Sequence, residues 1–209
     1  MYIPKHYEIT DENLIGNFVQ FTGFSTLVTQ GTDYPSITHI PMELEYDNQG
    51  NKVLRGHMAK ANPHWKDIVG NPKGTICFLS DFNHYISSSW YDYPEAPTWN
   101  YISVHFSGPI RILDFDETVS SVRDLTKRYE KSVKGKLDFD TLPPNVTKQL
   151  RGITGIEMKV DRTEAVFKLS QNQSLENFDR IVDRLKETSN PRSLKLAETM
   201  VKLKNLFYQ

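Results

Sequence analysis

Lys60 lies next to a predicted helix start, an arrangement that can bind an anion. A strand over 52–60 leads into Asn62-Pro63, where asparagine is predicted as the N-cap and proline as the first helical residue. The first N–H groups of a helix lack partners and attract negative charge. Lys60 and Asn62 are therefore candidates for binding a phosphate or carboxylate, with His57 upstream on the opposite strand face. The alternative is a common helix cap beside a solvated lysine.

A second candidate is the alternating run over 97–112, which reads as a long strand. Because successive side chains of a strand point to opposite faces, Trp99 and Tyr101 share one face and apolar residues fill the other. Aromatic rings stack on planar ligands, and Asn100 offers both a hydrogen-bond donor and an acceptor. Further aromatic residues precede the strand in a loop, at Trp90, Tyr91 and Tyr93. An aromatic core or a dimer interface is the alternative interpretation.

A third candidate is the polar cluster at the end of the last predicted strand. Lys168, Gln171 and Asn172 stand between an apolar strand and an apolar helix. A lysine buried there needs an anionic partner. The alternative is a simple helix-entry turn with Ser174 as the N-cap.

Composition excludes several classes of protein. The 209 residues carry a net charge of −1, which argues against a general nucleic-acid binder. The single cysteine, Cys77, rules out an internal disulfide, and no apolar run approaches the ~20 residues of a membrane span. The six histidines are scattered without metal-ligand spacing, so no metal site is predicted. No catalytic residue can be assigned, and a cytoplasmic protein without membrane contact is expected.

The elements that position these residues follow from turn and capping signals. Short strands dominate the first half, at 24–29, 36–46 and 52–60, and Pro41 indicates an edge or a bulge in the second of them. Two helices close the chain, and the last is predicted to present Leu194, Ala197, Val201 and Leu206 on its apolar face. The pattern favours a small, mostly antiparallel barrel with peripheral helices.

A series of motifs resembles the PaiB-like family, whose members are described as FMN-binding negative transcriptional regulators. The motifs are Met1-Tyr-Ile-Pro-Lys-His-Tyr-Glu8, His39-Ile-Pro41, Gly56-His-Met-Ala-Lys-Ala-Asn-Pro63, Tyr85-Ile-Ser87 with Trp90-Tyr91, Pro97-Thr-Trp-Asn-Tyr101, Gly152-Ile-Thr-Gly155 and Lys168-Leu-Ser-Gln-Asn172. They follow one another in family order across positions 1 to 172, which makes the resemblance specific.

The resemblance implies an α+β, mainly β fold: an FMN-binding split β-barrel, antiparallel and Greek-key-like, with C-terminal helices and a homodimeric assembly. It implies a barrel domain with inserted helices at 1–172 and a helical extension packed on the barrel at 173–209. The implied FMN contacts are His57, Lys60 and Asn62 for the phosphate or ribityl chain, Trp99, Asn100 and Tyr101 for the ring or interface, and Lys168, Gln171 and Asn172 from a strand end of either subunit.

Two departures from the family pattern bear on the cofactor. Lys60 stands where relatives commonly carry arginine, and Ser88 or Ser89 where they tend to carry proline. Unlike arginine, lysine carries a point charge and cannot form a bidentate contact with a phosphate. The departures favour weaker flavin binding and isolation of the protein without FMN.

Three functions remain open from the sequence. One is a negative transcriptional regulator that acts through flavin or small-ligand binding. Another is a flavin-dependent oxidoreductase, similar to flavin reductases or pyridoxamine-phosphate oxidases. A third is a haem-binding or haem-degrading module, with His39, His57, His84 or His105 as ligand. Direct DNA binding would need the basic residues of the last two helices, Arg180, Arg184, Lys186, Arg192, Lys195, Lys202 and Lys204, for which a solvated face is the alternative.

Overall fold

The computed structural model of the protein describes residues 1–135 and 138–208. The β-strands in these ranges are β1 (Phe24–Thr29), β2 (Ser36–Tyr46), β3 (Lys52–Ala59), β4 (Lys73–Leu79), β5 (His84–Ile86), β6 (Thr98–Ile112), β7 (Ile153–Lys159) and β8 (Arg162–Lys168). The α-helices are α1 (Glu12–Thr22), α2 (His64–Gly70), α3 (Phe115–Glu130), α4 (Pro144–Thr147), α5 (Leu175–Glu187) and α6 (Pro191–Phe207). Among the described helices, none has the length and apolar character needed to cross a membrane.

Residue contacts divide the chain into two units, and one of them is a closed barrel. This barrel unit comprises residues 16–78 and 105–163. Its strand order is β4-β1-β2-β3-β7-β6, and β6 pairs with β4 to close the ring of six strands. The pairs β1–β2, β1–β4, β2–β3, β3–β7 and β6–β7 are antiparallel. The predicted antiparallel, mainly β architecture with peripheral helices is confirmed.

Pro41 marks the point where β2 changes partners within the barrel. The strand pairs with β1 through residues 36–41 and with β3 through residues 42–46. The N–H of the next residue, Met42, donates to the carbonyl of Gly23 at 3.1 Å. Because proline has no N–H to donate to a ladder, it is tolerated where one ladder ends and the next begins.

A row of ion pairs crosses the barrel strands β3, β7 and β6. Glu157 on β7 lies opposite both Arg55 on β3 and Arg111 on β6. Each arginine Nε donates to a different carboxylate oxygen of Glu157 at 2.7 Å. Arg111 also forms two hydrogen bonds of 2.8 Å with Glu117 in the first turn of α3, whose N-cap is Asp114. The row therefore fastens α3 to the strands beneath it.

The second unit comprises residues 1–15, 79–104 and 164–208 and holds β5, the first part of β6, β8 and the last two helices. Strand β6 pairs with both β5 and β8. Along β6, Ile102 and Val104 are buried while Trp99 and Tyr101 remain accessible, which confirms the predicted alternation. The proposed boundary between residues 172 and 173 stays a prediction.

The buried face of α6 differs from the predicted one. Leu196, Ala197 and Met200 are at most 1% exposed, whereas Leu194 and Val201 are 38% and 51% exposed. Apolar residues occur on several sides of this helix, so periodicity alone did not single out the face that packs. The predicted apolar face was wrong except for Ala197.

Candidate functional site

Lys60 and Arg151 form a basic corner of the barrel unit. The β3–β7 ladder pairs Ala59 with Ile153, which brings the two cationic residues to the same end of the strands. The N–H of Lys60 donates to the carbonyl of Gly152 at 2.8 Å, and its ammonium lies 3.3 Å from the carbonyl of Arg151. Both side chains are exposed, and neither forms an ion pair within the described ranges. The sequence did not predict Arg151, since only the strand pairing relates these distant positions.

Asn62 shapes the turn that follows Lys60. Helix α2 begins at His64 with Pro63 at the N-cap, one position later than predicted. The Asn62 side-chain oxygen accepts from the N–H of His64 at 3.1 Å, and its amide nitrogen donates to Thr38 Oγ1 at 3.0 Å. With only seven residues, α2 does not make an anion site by itself. The positive charge at this corner therefore comes from side chains.

His64 is held inside the barrel unit by two hydroxyl groups. Its side chain is 3% exposed, with Nε2 2.8 Å from Thr29 Oγ1 and Nδ1 2.8 Å from Thr38 Oγ1. Thr38 Oγ1 accepts a hydrogen from Asn62, so its own hydrogen is free for Nδ1, and Nε2–H donates to Thr29. Burial lowers the pKa of His64, and the nearby charge of Asp67 acts in the opposite direction. The neutral ring ties the start of α2 to β1 and β2.

His57 lies on β3 opposite Gly155 of β7, on the same strand face as Arg55. It is partly buried, and burial lowers the pKa of its imidazole. A neutral ring is therefore the form expected at neutral pH. His57 adds no positive charge to the basic corner.

Trp99 and Tyr85 form an aromatic pair in the second unit. They are cross-strand partners on β6 and β5, with ring centroids 6.2 Å apart in an edge-to-face arrangement. Trp99 is 54% exposed and Tyr85 is 43% exposed. Tyr101 follows on the same face of β6 and is partly buried. Two large rings left accessible side by side can stack on a flat ligand or on another protein surface.

Asn100 points to the opposite face and is fully buried. Its amide nitrogen donates to Ser170 Oγ at 2.8 Å, and Ser170 Oγ lies 3.2 Å from the Asn100 side-chain oxygen. The predicted ligand contact of Asn100 stays a prediction. Its present partners give it the role of fixing the turn that follows β8.

The three polar residues at the end of β8 have different surroundings. Gln171 closes its own turn, because its oxygen accepts from the N–H of Leu169 at 2.8 Å and its nitrogen binds the carbonyl of Phe167 at 2.5 Å. Asn172 accepts a hydrogen bond of 2.9 Å from the Tyr7 hydroxyl. Lys168 donates to the hydroxyl of Thr98. Lys168 is the charged residue of the three, and it has no counter-ion within the described residues.

A buried amide fastens the aromatic loop before β6. Asn177 of α5 is 1% exposed, and its nitrogen donates to Asp92 Oδ1 at 2.6 Å. The N–H of Asp92 donates back to the Asn177 oxygen at 3.1 Å. The sequence did not predict this pair, because nothing in the spacing of 92 and 177 relates them.

The two units offer binding groups of different kinds. Lys60 and Arg151 of the barrel unit have no ion pair within the described residues and suit a doubly charged phosphate, whereas the accessible rings of the second unit suit a planar ring system. Within the described residues, no group of three or more histidine, cysteine, aspartate or glutamate side chains could hold a metal ion.

Comparisons with known proteins agree with this chemistry. The model of a family described as "Putative FMN-binding domain" matches residues 1–162. The chain is 34% identical over 201 residues to the Bacillus subtilis (strain 168) protein named "Protease synthase and sporulation protein PAI 2", covering 96% of each chain.

Two solved structures show the same fold at low sequence identity. The flavocytochrome Anf3 from Azotobacter vinelandii superposes with a TM-score of 0.63 at 12% identity, over 85% of this chain and 78% of that chain. The FAD and heme binding protein from Mycobacterium smegmatis superposes with a TM-score of 0.61 at 12% identity, over 78% of this chain and 73% of that chain. These two likenesses show the fold alone. The family model and the Bacillus subtilis relative establish that the chain belongs to the PaiB-like family of FMN-binding split-barrel proteins.

Proposed function

We propose that the protein binds FMN and that Lys60 and Arg151 of the barrel unit contact its phosphate. Independently of that contact, Trp99 and Tyr85 of the second unit are proposed as a surface on which a flavin ring stacks. The basic corner carries this proposal, because its two side-chain cations lack carboxylate partners within the described residues. A phosphate dianion supplies the matching charge, and exposed rings suit the flat isoalloxazine system. The residues present therefore fit FMN, which supplies redox chemistry when bound.

The other predicted FMN residues take more limited roles in this proposal. Asn62 orients the turn beside Lys60, and Tyr101 extends the accessible aromatic face. Asn100 and Gln171 hold the backbone, because their amides are already bonded to neighbouring groups. His57 is the neutral neighbour on β3 and adds no charge toward the phosphate.

Comparison of FMN with riboflavin tests the phosphate contacts. Riboflavin has the same ring and ribityl chain but no phosphate. Lys60→Met and Arg151→Met should each weaken FMN binding about tenfold or more, because each removes a charge-assisted hydrogen bond, and should leave riboflavin binding nearly unchanged. Dissociation constants from flavin fluorescence titration measure both. Lys73→Met is the control, an exposed lysine at the start of β4 in the same unit. Equal loss of riboflavin binding, or no FMN binding by the unmodified protein, contradicts the proposal.

The ring contact is tested separately with Trp99→Ala. Loss of a stacking ring is expected to weaken FMN and riboflavin to the same extent, by about fivefold or more. Tyr46→Ala, which removes a ring that is 60% exposed on β2, serves as the control and should bind both flavins normally. If the Trp99 variant keeps its affinity for both flavins, the Trp99–Tyr85 pair does not contact the flavin ring.

We also propose a homodimer, for which β1 and β2 offer an apolar surface. Phe24 and Ile37 are each 59% exposed, and Val28 lies opposite Ile37 in the ladder. Alternation places Phe24 and Val28 on the same face of β1. Ile37→Lys should dissociate a dimer formed through this face. Light scattering after gel filtration measures the mass, and Ile37→Lys retaining the mass of a dimer would exclude this face.

Any regulatory role is proposed to act through the bound ligand rather than through DNA contact by the last two helices. Most of the basic residues predicted as a DNA surface are paired with neighbouring acids: Arg180 with Glu176, Arg184 with Glu187, Lys186 with Asp183, Lys195 with Glu198, and Lys204 with Asp179. Such pairing weakens attraction to phosphate groups. Sequence-specific DNA binding by the FMN-free protein that persists at 0.2 M salt, on the order of physiological ionic strength, would contradict this role.

A further inference from the structure

Lys168 is a partly buried cation without a counter-ion. It ends β8, and its ammonium donates to the hydroxyl of Thr98 on the neighbouring strand β6. The ammonium also lies 5.7 Å from the centre of the Tyr7 ring. Within the described residues, no carboxylate lies close enough to form an ion pair with it. Burial lowers the pKa of Lys168, and no neighbouring charge offsets that effect.

Glu95, the acid that precedes Thr98 in the chain, is bonded elsewhere. Glu95 accepts a hydrogen bond of 2.9 Å from the N–H of Ala96, and its other carboxylate oxygen lies 3.3 Å from the Tyr93 hydroxyl oxygen. The Tyr93 hydroxyl also binds Gln173 at 2.5 Å. These bonds keep Glu95 with the exposed loop rather than with the lysine.

Tyr7 does not supply the missing negative charge. Its side chain is 8% exposed, and burial together with the nearby groups Tyr91, Glu95 and Tyr101 raises its pKa to about 12. Its hydroxyl keeps its hydrogen and donates it to Asn172 at 2.9 Å. The uncharged Tyr7 side chain therefore cannot be the counter-ion of Lys168. An anion that binds Lys168 has to come from outside Tyr7, Glu95 and Thr98.

The donors at this position are arranged for a single negative charge. The ammonium of Lys168 has hydrogens left after binding Thr98, and the Thr98 hydroxyl has its own hydrogen left because it accepts from the lysine. One charge and one hydroxyl suit a carboxylate, whereas the two cations of the basic corner suit a phosphate dianion. FMN has only one phosphate.

We propose that Lys168 and Thr98 bind the carboxylate of a second, monoanionic ligand, which is the small-molecule substrate or effector of this flavin-binding protein. The proposal rests on the proposed function only for the statement that FMN binds to the same protein. The carboxylate site itself does not depend on FMN. It assigns Lys168 to a carboxylic acid rather than to the FMN phosphate.

The test uses benzoate, a small aromatic carboxylate, as the probe. Benzoate is titrated into the full chain with and without added FMN, and binding is followed by tryptophan fluorescence and by ligand-observed NMR. Unmodified protein should bind benzoate and should not bind benzyl alcohol, which lacks the charge. Lys168→Met should weaken benzoate binding about tenfold or more, and Thr98→Val should weaken it by a smaller factor. Lys202→Met, an exposed α6 lysine without an ion pair in the described ranges, is the matched control.

Each outcome has a defined meaning. Benzoate binding that is lost in Lys168→Met and kept in Lys202→Met supports the proposal, provided that circular dichroism shows folded protein and FMN affinity is unchanged. If Lys168→Met weakens FMN binding but not riboflavin binding, the lysine contacts the FMN phosphate and the proposal is overturned. Failure of the unmodified protein to bind benzoate also overturns it, even if FMN binds. If FMN does not bind but benzoate does, the proposed function fails and the carboxylate site stands.

Discussion

Asn100 holds Ser170 in a left-handed backbone conformation. Ser170 has a φ of 62°, and its hydroxyl lies 2.8 Å and 3.2 Å from the two polar atoms of the Asn100 side chain. Asn100 is fully buried and Ser170 is 3% exposed. A left-handed residue other than glycine costs about 1–3 kcal/mol, so the surroundings must fix it. The pair thereby sets the turn that carries Lys168 on one side and Asn172 on the other.

This pair predicts an ordered series of variants. Ser170→Ala loses the hydroxyl and keeps the strain, whereas Ser170→Gly loses the hydroxyl and relieves the strain. The glycine variant should therefore be more stable than the alanine variant by about 1 kcal/mol. Urea denaturation gives the free energies of unfolding. An alanine variant at least as stable as the glycine variant would show that the backbone is not strained there.

Removal of the other partner should be more costly. Asn100→Ala leaves the buried Ser170 hydroxyl without its partner, for which a loss of about 1–3 kcal/mol is expected. Asn83→Ala is the matched control, because Asn83 makes one bond of 3.0 Å to the carbonyl of Ser80 and is only partly buried. Its loss should stay below about 1 kcal/mol. Equal losses in the two variants would contradict a special role for Asn100.

Local signals predicted most of the elements. The bounds of β1 and β2 match the predicted strands, and Ser174 caps α5 as in the helix-entry alternative. These features depend on residues close in sequence, whose turn and capping preferences act over a few positions. The start of α2 lies one position later than predicted, and the buried face of α6 was missed because apolar residues occur on several sides of that helix.

The parts of the candidate site that the sequence did not predict depend on long-range pairing. Arg151 joins Lys60 only through the β3–β7 ladder, and Tyr85 joins Trp99 only through the β5–β6 ladder. Strand order and register follow from packing of the whole barrel, which no local preference encodes. The sequence also did not predict that Gln171 would bond to its own turn while Lys168 would donate to Thr98. These hydrogen bonds depend on the geometry of the folded turn.

Glu117 should contribute to acid sensitivity of the fold. Hydrogen bonds from Arg111 and from the N–H of Asp114 lower the pKa of Glu117 from 4.5 to about 2. A depressed carboxyl pKa stabilises the folded state above the unfolded value, and this contribution is lost as pH falls from about 4.5 through about 2. Unmodified protein should therefore be more stable than Glu117→Gln at pH 7, and the difference should shrink below pH 4.5. Urea unfolding at several pH values measures it, and a pH-independent difference would contradict the assignment.

Gly108 is expected to tolerate no side chain. A Cβ at this position of β6 would lie 1.9 Å from the carbonyl oxygen of Lys159, a backbone atom that cannot turn aside. Gly108→Ala should therefore destabilise the protein by about 1–3 kcal/mol, the cost of an overpacked position. Gly70→Ala is the matched control, because no atom lies within 4 Å of a Cβ at the end of α2. Thermal unfolding should show a lower Tm only for the first variant.

His64 should make the protein less stable as the solution is acidified. Burial lowers the pKa of His64 below 6.5, so the unfolded chain binds a proton more readily than the folded one. Stability therefore falls as pH drops below about 6.5, because protonation favours the unfolded state. Protonation also adds a hydrogen at Nδ1, which then faces the hydroxyl hydrogen of Thr38.

The test compares unmodified protein with His64→Gln at pH 7.5 and pH 5.5. The unmodified protein should lose more unfolding free energy between the two pH values than the glutamine variant, whose side chain does not titrate. Equal losses would mean that His64 accepts its proton within the fold without cost and would contradict the two-hydroxyl arrangement.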